Sequence, residues 1–338
     1  MKRNLLIYLT VALFPIYSLF GEITKVGTTA AQFLKIGIGA RASAMGESFV
    51  AEANDVSALY WNPAGIAFLK TNEVIFVRTN WIADIRYDFV GAAIPLGQLG
   101  TFGLFYAGLT MNEMKVRTEF EPDGTGELFT ANSLAIGFSF ARRMTDRFTF
   151  GINGKYIREQ IWHESASTVA VDVGILYQTT FKNLRLGMSV SNYGGKMQMD
   201  GKDLLTFVDV YPNVEGNNEN IIAKLNTEKF DIPMNFRIGF AYDPVKNDWQ
   251  RFTVTLDGVS PNDFKEYLNV GFEYSFREMV FLRGGYKGIG VPDNEVGFSA
   301  GAGLYKQFFN GFSIRIDYAY TDFGRLENVQ RFSIILGF

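Results

Sequence analysis

The sequence predicts an all-β fold, a transmembrane antiparallel β-barrel of about 14 strands with a small N-terminal helical hatch plugging its lumen. Three observations predict it. Beyond residue 71, apolar and polar residues alternate with a period of two, giving each strand one apolar and one wet face. Many of these runs last roughly 9–12 residues, the length a tilted strand needs to cross the hydrocarbon of a bilayer. The connections alternate short then long, as periplasmic turns and external loops do in outer-membrane barrels.

Composition agrees. With 15% aromatic and 20% charged residues and 35 glycines in 338, the chain suits strands and tight turns better than helices. The absence of cysteine excludes disulfides, thiolate metal sites and a lipid-modified N-terminal cysteine. A net charge of −3 without any basic run argues against a nucleic-acid partner.

Residues 1–21 read as a signal peptide. Lys2 and Arg3 precede an apolar core from Leu5 to Phe14, and small Gly21 offers a cleavage point. An anchoring helix is the alternative, since the apolar run to Phe20 is nearly long enough to span a bilayer. Pro15 and the lack of a charged stop-transfer flank favour cleavage, which leaves 30 cations against 35 acids, a net −5. No later segment reads as a transmembrane helix, so an exported chain of this kind is either secreted and soluble or a β-barrel.

Residues 22–70 form the expected hatch. The stretch from Asn54 to Leu69 does not alternate. Asn54 or Asp55 is placed to cap a short helix, and Asn62-Pro63 to stop it, because the residue before proline is pushed out of the helical region. Pro63 then opens a second helical turn through Ala64–Leu69.

Residues 71–338 form the barrel. The first strand covers Glu73–Trp81, and the second sets Tyr87 and Phe89 against Arg86 and Asp88. Strand three carries Phe102, Leu104 and Tyr106, and a long polar loop runs to Thr130. Strands four to seven are separated by a turn at Thr145-Asp146-Arg147, a loop around His163–Ala166 and a turn at Phe181–Asn183. The longest irregular piece follows, from Gly194 to about Ile232, and seven further strands complete the series, the twelfth from Glu295. Short turns follow the even-numbered strands, and an even count returns both ends to the periplasmic side. The wet face carries Arg86, Lys155, Asp172, Arg237, Arg251, Asp257, Glu273, Arg283, Arg315 and Asp317, expected in the lumen and paired with one another or the hatch.

Alternation alone does not separate this barrel from a soluble sandwich. Strand length, turn asymmetry and tyrosines near strand ends (Tyr87, Tyr177, Tyr242, Tyr286, Tyr318, Tyr320) favour the barrel, since aromatics gather at both membrane interfaces. The chain also ends with Phe332, Ile334, Leu336 and Phe338 on one face, a pattern that resembles the C-terminal signature read by the barrel assembly machinery.

The hatch residues Asn54, Asp55, Trp61, Asn62, Pro63, Ala64 and Gly65 resemble the N-terminal hatch of FadL-type outer-membrane barrels. The wider run from Gly37-Ile38-Gly39-Ala40-Arg41 through Glu47 to Gly65 is similar to the PorV/PorQ branch of that superfamily. The resemblance implies a bacterial outer-membrane protein serving type IX secretion, with secretion components and cargo C-terminal domains as partners beside the membrane lipid. PorV-like members receive cargo and pass it to the attachment machinery. FadL proper instead implies uptake of long-chain fatty acids or other hydrophobic compounds, and a porin-like structural role is a third reading.

Nothing points to an enzyme or a cofactor. His163 is the only histidine, it falls in a loop, and no nucleophile–base pair is visible without it. Loop acids such as Glu119, Glu121, Asp123, Glu215 and Glu219 fit no calcium-loop spacing.

Overall fold

The structure is a computed structural model describing residues 26–338 apart from 182, 211, 212, 214, 215, 217–219, 293, 309 and 310. The expected signal peptide, residues 1–21, lies outside the described residues, as do Glu215 and Glu219.

Alternation does produce strands. Fourteen long ones follow one another around a single sheet: β1 (Glu73–Asn80), β2 (Arg86–Pro95), β3 (Thr101–Thr110), β4 (Ala131–Arg143), β5 (Phe148–Ile161), β6 (Glu164–Gln178) and β7 (Leu184–Gly194). The second half comprises β8 (Asn235–Lys246), β9 (Gln250–Pro261), β10 (Tyr267–Phe276), β11 (Val280–Ile289), β12 (Phe298–Gln307), β13 (Ser313–Asp322) and β14 (Asn328–Gly337). Every neighbour is antiparallel, and β14 returns to pair with β1, Gly337 opposite Glu73. Closure removes both sheet edges, the condition for a sheet to survive in lipid.

The turns after β2, β4, β6, β8, β10 and β12 are all short, and the long loops, after β3 and β7, lie at the opposite end, which makes the former end of the barrel periplasmic. The loop between β7 and β8 is the longest; it carries a small hairpin of Leu205–Val208 with Ile221–Lys224, and Asp200–Gly201 adds to the edge of β6. At the same rim the expected loop around His163 is instead a tight turn. Trp162 takes the left-handed conformation (φ 50°), His163 stacks on its ring, and β6 begins already at Glu164. The twelfth strand starts at Phe298, three residues later than the alternation suggested.

The outer wall is apolar and exposed: Phe76, Phe102, Leu104, Phe138, Leu282, Ile316, Phe332 and Ile334 all point away from the interior. The barrel therefore faces lipid, and the protein belongs to an outer membrane. Its core lies not between two sheets but between the wall and the N-terminal segment. Ile38, Met45, Phe49, Leu59 and Ile66 of that segment pack with Ile75, Val77, Phe89, Phe105 and Ile157 of the wall, all buried.

Candidate functional site

The segment of residues 26–70 sits in the lumen, and its small residues explain how. Gly39 (φ 80°) turns the chain into the short helix α1 (Ala40–Ala44), which rests on β11–β14; Ser333 Oγ accepts from Ala40 N at 2.6 Å. A second helix, α2 (Ala58–Trp61), is opened by Asp55, whose Oδ1 accepts from Ser57 N at 2.9 Å. Asn62 then breaks it in an extended conformation (φ −161°, ψ 101°) and caps a 3₁₀ turn, Pro63–Phe68, by accepting from Ala64 N at 3.2 Å. That turn rests on β3–β6, across the lumen from α1. Asn62 also donates to Val50 O at 2.9 Å and to Ile175 O of β6 at 3.0 Å, so one buried amide ties two parts of the segment to the wall.

Wall glycines admit this backbone. A Cβ on Gly151 would meet Ala64 N and the Pro63 carbonyl; one on Gly174 would meet Asn62 Oδ1 and the proline ring. Gly187 faces the Val50 carbonyl, Gly271 faces Met45, and Gly285 faces Gly46 in the same way. The glycines are paired across strands, Gly151 with Gly174, Gly187 with Gly239 and Gly271 with Gly285. They form a belt of missing side chains into which the segment is seated.

Below the belt, toward the periplasm, charges are dense. Arg41 reaches Glu273 of β10 (Nε–Oε2, 2.9 Å), Asp55 (2.8 Å) and Glu52 (2.9 Å), and donates to Asn54 Oδ1 at 2.6 Å. Glu273 is held as well by Arg283 at 2.7 Å and Arg251 at 2.9 Å. Arg283 continues to Asp317 at 2.7 Å, Arg315 lies 3.7 Å from Asp55, and Arg185 binds Glu52 at 2.6 Å and Asp243 at 2.8 Å. Burial would push the Asp55 carboxyl up, but the Arg41 and Arg315 guanidiniums and the Ser57 hydroxyl hold it below the usual carboxylate range. A cavity of about 610 Å³ opens beneath this network, lined by Arg41, Asn54, Lys70, Arg185, Arg251 and Arg315.

Above the belt the residues differ. Asp257, level with Gly239 of the belt, accepts from Phe49 N (2.8 Å) and Val50 N (2.9 Å), and above it Lys155 pairs with Asp172 at 2.7 Å. Arg237 stacks over the Trp61 ring at 4.8 Å, and Lys287 binds Glu47 at 2.6 Å. Lys35 binds Asp263, in the loop after β9, at 3.0 Å. A cavity of about 210 Å³ lies here between the starts of β8 and β10 and the end of β11.

The structure places Lys155, Asp172, Arg237, Arg251, Asp257, Glu273, Arg283, Arg315 and Asp317 inside the wall. It corrects the reading of Arg86, which is exposed on the outer face, while Tyr87 and Phe89 point inward and are buried. The cause is local: in this sector the lumen is filled by apolar partners, Phe89 stacking with Phe105 at 5.6 Å, so the polarity of the two faces is inverted. Outside, Asp88 pairs with Arg78 across the strands at 2.9 Å. Tyr87 accordingly leaves the set of interface tyrosines, while Tyr177, Tyr242, Tyr286 and Tyr320 are exposed on the wall. Asp55, Trp61, Asn62, Ala64 and Gly65 are buried, Pro63 with them, and Asn54 is exposed to the periplasmic cavity. Phe332, Ile334 and Phe338 face outward on β14 or its end, and Leu336 is half-buried. His163 binds Asp203 at 2.9 Å on the extracellular rim, and no group of three metal-holding side chains occurs among the described residues.

Sequence reasoning missed Arg41, Glu47, Glu52, Arg185, Asp243 and Lys287. A signal existed: Arg41, Glu47, Glu52 and Asp55 are the only charges between residues 36 and 69, in a stretch otherwise too apolar to need them.

The sequence profile described as "Type IX secretion system protein PorV" matches residues 21–260, well over half the chain. The chain belongs to the PorV family. No curated protein matches it by sequence. Among solved structures, the PorV-family fold seen here is similar to the Pseudomonas putida toluene transporter TodX, with a TM-score of 0.55 at 13% identity, covering 89% of this chain and 97% of that one. It is similar also to the Ralstonia pickettii toluene transporter TbuX, with a TM-score of 0.52 at 12% identity, covering 89% of this chain and 97% of that one. A Pseudomonas aeruginosa FadL homologue aligns with a TM-score of 0.50 at 12% identity over 88% of this chain and 96% of its own. At such identities the likeness is one of fold: a FadL-like barrel. Membership of the PorV family associates the protein with type IX secretion and with outer-membrane lipid rather than with catalysis.

Proposed function

We propose that this barrel receives secreted cargo for the type IX system at the outer surface and hands it on, with residues 22–70 as a fixed hatch and residues 71–338 as the barrel that carries it. The supporting observation is the filled lumen: the buried Arg41–Glu273 pair, the Asn62 ties and the glycine belt fasten the segment to walls on opposite sides. A barrel so filled is suited to holding a partner at its rim rather than conducting one through its middle. The outward Phe332, Ile334, Leu336 and Phe338 at the end of β14 serve the barrel assembly machinery in this reading. Deleting the gene leaves cargo stranded in the periplasm. Normal cargo export with impaired uptake of fatty acids or aromatic compounds would replace this function by transport of hydrophobic molecules.

A further inference from the structure

Resting on that function, we propose that the 210 Å³ cavity at the extracellular end is a recognition pocket for one carboxylate-bearing residue of a protein segment. Apolar walls come from Pro261, Phe264, Tyr267, Val291 and Val296, and the polar end from Arg237. The charge inventory singles out that arginine. Lys35 is satisfied by Asp263 at 3.0 Å, and Lys287 by Glu47 at 2.6 Å. Arg237 is only 6% exposed and has no carboxylate within ion-pair distance among the described residues. Its one hydrogen bond among the described residues is a long 3.4 Å contact from Nη1 to the Glu47 carbonyl, and Trp61 covers a face of the guanidinium. Asp257, the other nearby acid, spends one oxygen on two hatch amides. A buried guanidinium short of partners and lining a cavity is a site for an anion, because pairing there recovers the cost of its desolvation.

Size and access select the occupant. Pockets for drug-sized ligands run to roughly 300–1,000 Å³, so this one suits a side chain or a chain end with its neighbouring apolar group better than a long acyl chain. The surrounding strands β8–β11 pair in one sheet, and the register shift between Leu268 and Val270 beside the cavity is bridged by Gly288 N donating to Asn269 Oδ1 at 3.0 Å, so entry is from the water above the rim. The carboxylate belongs to an Asp or Glu side chain or to a C-terminus.

The test uses the full-length barrel in lipid nanodiscs and isothermal titration with N-acetyl-Phe-Glu-amide, its Gln counterpart and N-acetyl-Phe with a free carboxylate. Expected is saturable binding of an acidic probe at least about tenfold tighter than the Gln probe. Which acidic probe binds better distinguishes side chain from chain end. Arg237→Gln and, separately, Val291→Trp, which fills the cavity without altering charge, abolish the preference while heat-modifiable gel mobility persists. Equal binding of the Glu and Gln probes, a preference surviving both substitutions, or tighter binding of decanoate than of either peptide overturns the assignment. If deletion strands cargo but the purified barrel shows no acid preference, the pocket falls and the function stands. Unimpaired export in the deletion strain, with the acid preference intact, has the opposite meaning.

Discussion

Arg41, on a five-residue helix inside the lumen, and Glu273, on β10, are 232 residues apart in sequence and meet through two hydrogen bonds of 2.9 and 3.1 Å. Both are buried, and the same guanidinium also closes on Glu52 and Asp55. Removing one partner of such a pair leaves charge stranded in a poorly hydrated interior. Arg41→Ala is expected to destabilise the barrel by about 3–5 kcal/mol. Denaturant unfolding in detergent measures it, and a loss below about 1 kcal/mol would show that water replaces the guanidinium freely.

The glycine belt makes a paired prediction. Gly174→Val drives a branched side chain into Asn62 and Pro63 and should cost at least about 1–3 kcal/mol or prevent assembly. Gly154→Val, three strand positions from Gly151 and so on the lipid side, meets nothing within 4 Å and should leave the thermal midpoint unchanged or raised. Heat-modifiable mobility across a temperature series reads both variants, and an equal drop in the two would remove the steric argument.

Asn62 offers a test that separates a structural amide from an exposed one. Asn62→Ala leaves the Val50 and Ile175 carbonyls without their donor and uncaps the following turn, at about 1–3 kcal/mol for each unsatisfied buried group. Asn54→Ala loses one bond from Arg41 and one to Glu52 Oε1 (3.2 Å) at the edge of the periplasmic cavity and should shift stability by less than about 1 kcal/mol. Comparable losses at the two positions would contradict the roles drawn here.

One attachment of the segment titrates. Burial would raise Asp263, but hydrogen bonds from Gln32, Thr29 and Lys35 outweigh it and hold the carboxyl below its ordinary value. A carboxyl depressed in the folded state stabilises above its unfolded pKa of about 4 and loses that contribution as the pH falls through the lower folded value. Hydrogen exchange at residues 29–35 should therefore accelerate below about pH 4 in the wild type, whereas Asp263→Asn should show no such acid-side change. Identical profiles would dissociate the loop from the segment's attachment.

The barrel was legible because lipid imposes one rule on its outer face for the whole circumference: Phe102, Phe138 and Leu282 are where alternation puts them. The inner face obeys no such rule. It is polar around Arg41 and apolar where Phe89 stacks with Phe105, which is why Arg86 and Tyr87 exchanged sides. Arg41 was hard to find for a related reason. Its acids lie on two stretches, 52 and 55 within the segment and 273 on β10, that only the closed fold brings together. The belt was hidden in plain alternation, since Gly151 and Gly174 look like ordinary small residues until the backbone opposite them is known.

The belt also bears on transplantation. Because Gly151, Gly174, Gly187, Gly271 and Gly285 are hollows cut to one particular backbone path, wall and insert are matched like a mould and its casting. A chimera that borrows the first seventy residues from a distant relative inherits a casting for a different mould, and only exchange of both pieces together preserves the fit.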